Sequence, residues 1–174
     1  MLNYLIDFII LILIYLLYYY KRWKREGKKV LILNTLMYTY MVMVLFVTIM
    51  PFPLPYLHGT NKLFLETVNL IPFRDLRLNY YGAKKEILLN IIMTMPFGFL
   101  YPTIKKAKIF KTIFITLLFS LIIETAQLLS VYWGAITARA FDVTDLITNT
   151  SGGLVGYLLY RPLGSIIHKT IDEK

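Results

Sequence analysis

Glu124, Asp142 and Asp145 are carboxylates set within or against oily stretches of the chain, Arg139 is the cation nearest to them in sequence, and Asn90, Gln127 and Asn149 are amides in the same surroundings. Carboxylates there can take or give a proton, and a guanidinium can hold a phosphate or a developing oxyanion. That chemistry makes Glu124 or Asp145 a candidate general base and Arg139 a candidate stabiliser of charge. No nucleophile elbow, Ser–Lys pair or metal-ligand spacing accompanies them, so binding is read ahead of catalysis. The chain has no cysteine, and His58 and His168 are too far apart to pair on zinc; no metal site and no cofactor is expected.

These residues must be held by membrane-crossing elements. Of 174 residues 57% are hydrophobic and mean hydropathy is +0.61, whereas soluble domains are about 45–50% apolar. The net charge of +9 falls in short runs between oily stretches, not on the basic face that nucleic acid requires, so that partner class is set aside. Five apolar spans are predicted, at 4–20, 30–50, 87–101, 109–131 and 146–160. The third is short and carries Pro96, with Pro102 as its expected stop. The fold class is therefore all-α, a polytopic integral membrane helical bundle of about five transmembrane helices.

Lys21, Arg22, Lys24 and Arg25 follow the first span and none precede it, so it reads as an anchor and not as a cleaved signal. Thirteen of the nineteen Lys and Arg residues lie after spans one, three and five. Short loops rich in these residues stay cytoplasmic, which puts the amino terminus outside and the carboxyl terminus inside. Lys62, Arg74, Arg77, Lys84 and Lys85 run against this trend, on the side assigned as outer. The organisation expected is a two-helix anchor with an extracytoplasmic loop over 1–68, a membrane domain over 69–160 with spans near 86–102, 109–131 and 143–160, and a cytoplasmic tail over 161–174.

In that orientation Asn90 and Thr94 on span three, Glu124 and Gln127 on span four, and Asp142, Asp145 and Asn149 on span five sit at similar depth near the outer face. Asp142, Asp145, Asn149, Gly152 and Gly156 follow a 3, 4, 3, 4 spacing that lays them on one helical stripe. A carboxylate at the centre of a membrane helix costs about 2.5–3.5 kcal/mol on insertion scales, so such groups usually face a protein interior or a polar cavity. The expectation is an outward-facing polar pocket, closed by helix packing at the glycines. Each residue also has a structural reading. Asp142 and Asp145 can cap span five, Asn90 and Asn149 can bond across helices, and Glu124 can pair with Arg139. Tyr18, Tyr19, Tyr20 and Trp23 read as an interfacial belt, Asp7 as reaching the interface, and "FLETVNLIPFRDL" as a membrane-surface segment whose Arg74 and Arg77 meet phosphate headgroups or the acidic cluster.

"NLIPFRDL" at 69–76, "LLNIIMTMPFGFLYP" at 88–102, "SLIIETAQ" at 120–127 and "RAFDVTDLITNTSGGLVGY" at 139–157 together resemble the successive signatures of the VanZ-like family of bacterial membrane proteins. The resemblance implies an integral protein of the bacterial cytoplasmic membrane, in a family whose namesake lowers susceptibility to the lipoglycopeptide teicoplanin without remodelling the peptidoglycan terminus. It places the family's polar positions on Asn69, Asn90, Glu124, Gln127, Arg139, Asp142, Asp145 and Asn149; the pocket reading adds Arg74. Met95, before Pro96, is a mild departure. The partners expected are membrane lipids, with lipid-linked cell-wall intermediates or the lipoglycopeptide itself as ligands of the pocket. The alternative is a membrane-embedded enzyme acting on a lipid-linked or headgroup substrate.

Overall fold

A computed structural model describes residues 2–52, 61, 63–133 and 141–172. Within them the chain is predominantly helical, and its one bridge of β type joins Asn69 to Asp142. Helix α1 (Leu2–Ile14) runs through a π-helical stretch, Tyr15–Tyr20, into α2 (Lys21–Glu26). Gly27, at φ 113°, ends that rod and begins α3 (Lys28–Thr48); a positive φ of this kind is open to glycine at little steric cost. After a 3₁₀ turn at Phe64–Thr67 and the short α4 (Arg74–Arg77) come the three helices that hold the polar residues: α5 (Ala83–Lys105), α6 (Ile109–Tyr132) and α7 (Val143–Asp172).

Four helical rods among the described residues, Asn3–Glu26, Lys28–Thr48, Ala83–Lys105 and Ile109–Tyr132, are long and apolar enough to cross a membrane. The chain is a membrane protein. Its burial pattern is the one lipid demands: leucine, isoleucine and phenylalanine side chains such as Leu17, Phe110 and Ile122 are exposed, while Thr94, Thr112, Thr116, Ser120, Glu124 and Asn149 are wholly buried. Lipid tails are as apolar as leucine, so helices gain little by hiding leucine. They associate through close packing and hydrogen bonds instead.

The first and second rods form an antiparallel pair. Phe46 of α3 meets Tyr4 and Phe8 of α1, and Tyr38 packs on Tyr15 and donates to the Leu11 carbonyl at 2.7 Å. Tyr19 and Trp23 both pack on Tyr38 of α3, with ring centres 5.5 and 6.5 Å away, so part of the expected belt ties the two rods together. Asp7 is buried, and its Oδ2 accepts the Phe52 N–H at 2.9 Å where the chain leaves α3. Helix α3 then rests on α5: the Tyr40 hydroxyl donates to the Met93 carbonyl at 3.0 Å and its ring faces Phe97. Phe97 in turn lies nearly parallel to Phe119 of α6, 4.7 Å away.

Helix α7 packs chiefly on α5 and α6, and glycine makes the approach to α5 close. A methyl group on Gly156 would overlap the Met95 carbonyl oxygen, one on Gly152 the Ile91 carbonyl, and one on Gly98 the backbone of Gly153. The stripe of small residues does what its spacing suggested. Two boundaries differ from expectation. Pro102 does not stop α5, which continues to Lys105 and ends at Lys106 with φ 49°; Pro102 is wholly buried, and neighbouring helices in a membrane tolerate a proline inside a helix. Residues 161–172 continue α7 past Pro162, beyond the expected end of the fifth span at residue 160.

Candidate functional site

The first two turns of α7 act as a spine to which three other segments are tied. Asp142 precedes the helix as its N-cap: Oδ1 accepts the Thr144 N–H at 2.6 Å, satisfying one of the donors a helix start leaves open. Its Oδ2 accepts from Asn69 Nδ2 at 2.8 Å. Its own backbone N–H donates to Glu124 Oε2 at 2.9 Å. One residue thus joins α7, α6 and the segment that leads into α4.

That segment is held at several points. The Asn69 N–H donates to the Phe141 carbonyl at 2.8 Å and the Val143 N–H to the Asn69 carbonyl at 3.0 Å. Asn69 Oδ1 accepts the Ile71 N–H at 3.1 Å, an Asx turn that bends the chain at "NLI". Phe73, in the left-handed region at φ 56°, donates its N–H to Thr144 Oγ1 at 2.9 Å.

One turn deeper, Asn90 Nδ2 of α5 donates to Asp145 Oδ1 at 2.6 Å. A further turn down, the Thr94 hydroxyl donates to the Asn149 carbonyl at 2.7 Å and Asn149 Nδ2 donates to Ser120 Oγ of α6 at 2.9 Å. The layer from Asp142 to Asn149 therefore spans about 10 Å along α7, at 1.5 Å per residue. Asn149 Oδ1 is buried without a hydrogen-bond partner.

The structure brings Asn69, Asn90, Glu124, Asp142, Asp145 and Asn149 into this layer. Gln127 is buried beside it but turns to α3, donating to the Thr48 carbonyl at 3.2 Å. Arg74, at the start of α4, is exposed and makes no hydrogen bond to the layer. Arg139 lies outside the described residues, as do His58 and Lys62. Two cavities are lined by other residues: one of about 280 Å³ lies between α1 and α3, bounded by Phe8, Tyr15, Thr35 and Tyr38, and one of about 380 Å³ lies at the turn before α5.

Sequence reasoning missed Thr112, Thr116 and Ser120. With Glu124 they form a buried stripe at four-residue spacing along α6, and that spacing was the available signal. The Thr112 and Thr116 hydroxyls bond back to the carbonyls of Lys108 and Thr112, which leaves their small tops to pack; Thr116 is what a methyl on Gly153 would strike.

The motifs that build this layer extend into a wider match: the family model described as VanZ/LLP1 covers residues 35–167. The chain belongs to the VanZ/LLP1 family. The match begins within α3, well before the first quoted motif, so the VanZ family unit includes most of the helix that carries Tyr40 and accepts from Gln127, as well as α5, α6 and most of α7. No curated protein and no solved structure matches the chain.

Proposed function

We propose that this protein works in the bacterial cytoplasmic membrane, with its amino terminus outside and its carboxyl terminus inside, and lowers susceptibility to teicoplanin-type lipoglycopeptides. In this reading the outer layer of α5 to α7 binds a lipid-linked glycan, a lipid headgroup or the acyl tail of the antibiotic, and so changes what reaches the cell-wall precursors. Membership of the VanZ/LLP1 family supports the role at the level of the family. Helix α7 is the fifth span. Its 30 residues extend about 45 Å at 1.5 Å per residue, and it is less oily than the other four because the face it turns to α5 and α6 is built of polar groups and glycine.

The observation that carries the reading is the joining of three segments on one residue, Asp142, beside the wholly buried Glu124. Acids in a bilayer are costly and mark function more often than not. Binding ranks ahead of catalysis because both Asp142 oxygens, and one oxygen of Asp145, are already engaged by N–H donors, whereas a general base needs a free oxygen within hydrogen-bond reach of its proton or one water away. Glu124, kept from water, favours a second reading in which it is the base of an enzyme acting on a lipid-linked or headgroup substrate, with Asp145 as the other candidate base and Arg139 stabilising charge.

The test is expression in a susceptible Gram-positive host. The minimum inhibitory concentration of teicoplanin should rise more than that of vancomycin. Glu124→Gln keeps an oxygen for the Asp142 N–H and should reach wild-type levels in the membrane while losing protection. No rise for either antibiotic, with the protein present in the membrane, would refute the proposal. Turnover of a lipid-linked substrate by purified protein, lost in Glu124→Gln, would replace binding with catalysis.

A further inference from the structure

The four described cations that run against the charge rule gather around one feature. Arg74 and Arg77 lie on α4, which packs on α5, and Lys84 and Lys85 lie in the first turn of α5. All four are exposed, and none forms an ion pair, although Asp75 and Glu86 lie among them in sequence. The turn between the two helices reverses through two left-handed residues, Asn79 at φ 55° and Gly82 at φ 97°. It wraps the cavity of about 380 Å³ that Asn79, Tyr80, Tyr81, Lys84 and Lys85 help to line.

The surroundings of this cavity are those of a membrane interface. Tyr81 is fully exposed and Tyr80 largely so, and along the approaching segment Leu63, Leu65, Leu70, Ile71 and Leu78 are exposed as well. Apolar residues in such a segment enter the boundary of the acyl chains, and tyrosine settles at headgroup level. Ammonium groups held there, with no carboxylate to neutralise them, meet phosphate. Guanidinium groups within a turn or two add to the same field.

We propose that the cavity at the α4–α5 turn is a phosphate subsite for the headgroup of an anionic outer-leaflet lipid, with Lys84 and Lys85 as its direct contacts and Arg74 and Arg77 as its outer rim. The assignment to the outer leaflet rests on the orientation given under Proposed function. The subsite lies beside the polar layer, connected to it by the Phe73 N–H on Thr144, and so supplies a place for the charged end of a ligand whose remainder reaches α7.

Wild-type protein and Lys84→Gln/Lys85→Gln, each in nanodiscs of phosphatidylcholine doped with phosphatidylglycerol, are compared by native mass spectrometry after transfer to mild detergent. The wild type should hold phosphatidylglycerol above its share of the disc. The double variant should bind it roughly 25-fold more weakly, the combined effect of two basic residues near an anionic surface. Lys84→Arg/Lys85→Arg should restore binding, and Glu86→Gln should leave it intact. Sodium pyrophosphate should displace the lipid from the wild type. Equal retention by the wild type and the glutamine variant would overturn the subsite, and pyrophosphate binding without lipid enrichment would overturn the lipid assignment. Bound lipid is read here, not resistance. Lost enrichment with teicoplanin protection intact therefore refutes the subsite alone, and lost protection with enrichment intact refutes the functional reading alone.

Discussion

Replacing Asp142 with alanine removes two bonds at once and leaves a third in place. The N-cap bond to the Thr144 N–H at 2.6 Å contributes about 0.5–2 kcal/mol in helices of known structure. The bond from Asn69 at 2.8 Å, made to a charged acceptor, contributes about 1.5–3 kcal/mol. Asp142 is half-buried, which places both near the lower ends of their ranges, so Asp142→Ala should destabilise the fold by about 2–3 kcal/mol. The Asp142 N–H on Glu124 belongs to the backbone and survives the change. Asn69→Ala loses the shared bond together with the Asx turn on Ile71. The double variant should therefore cost less than the two single variants summed, by about 1–2 kcal/mol. Reversible unfolding by sodium dodecyl sulfate in mixed micelles, followed by Trp23 and Trp133 fluorescence, measures all four proteins. Additive losses, or a loss below about 0.5 kcal/mol for Asp142→Ala, would show that the bridge between the Asn69 segment and α7 does not hold the layer.

Helix packing and orientation give further expectations. Gly156→Ala and Gly152→Ala should each destabilise by about 1–3 kcal/mol, the usual cost of overpacking, because the added methyl meets a backbone carbonyl of α5; thermal midpoints in detergent are the readout, and unchanged midpoints would mean that α5 and α7 lie further apart. Ser120→Ala should destabilise by about 1–3 kcal/mol, since it leaves Asn149 Nδ2 buried without its acceptor, whereas Thr125→Ala, at an exposed position, should be near neutral in the same melts. The absence of cysteine allows single-cysteine mapping. A membrane-impermeant maleimide applied to intact cells should modify Lys84→Cys and spare Lys24→Cys, and the reverse labelling would invert the proposed orientation.

The parts of this arrangement written in side-chain pattern were legible before the fold was known. The 3, 4, 3, 4 spacing from Asp142 to Gly156 marked one face of a helix, and that face meets α5 and α6 through hydrogen bonds above and glycine contacts below. The cost of polar groups in lipid likewise required the side-chain N–H groups of Asn90 and Asn149 to find acceptors, and both did. What stayed hidden depended on tertiary geometry. A backbone N–H of Asp142 bonds Glu124, and no sequence pattern marks a main-chain donor contributed by a connecting segment. Thr112, Thr116 and Ser120 escaped notice because they carry no charge, and the two threonines bond back to their own helix, so only the four-residue repeat distinguishes the three. Pro102 misled as a stop signal, since the rule that a proline ends a helix rests on its missing N–H and the clash of its ring with the preceding turn, and a helix packed in a bundle tolerates both.

In the proposed function, the layer beneath the start of α7 is what protects the cell. Its most direct test is the teicoplanin inhibitory concentration of a Gram-positive host expressing Asn90→Ala, Asp145→Asn or Asn149→Leu, at membrane levels matched to wild type, alongside the exposed-leucine and exposed-isoleucine controls Leu88→Ala and Ile122→Ala. The three layer variants should fall to the concentration that inhibits the empty host while both controls keep full protection. Full protection in the layer variants, at equal abundance, would contradict it.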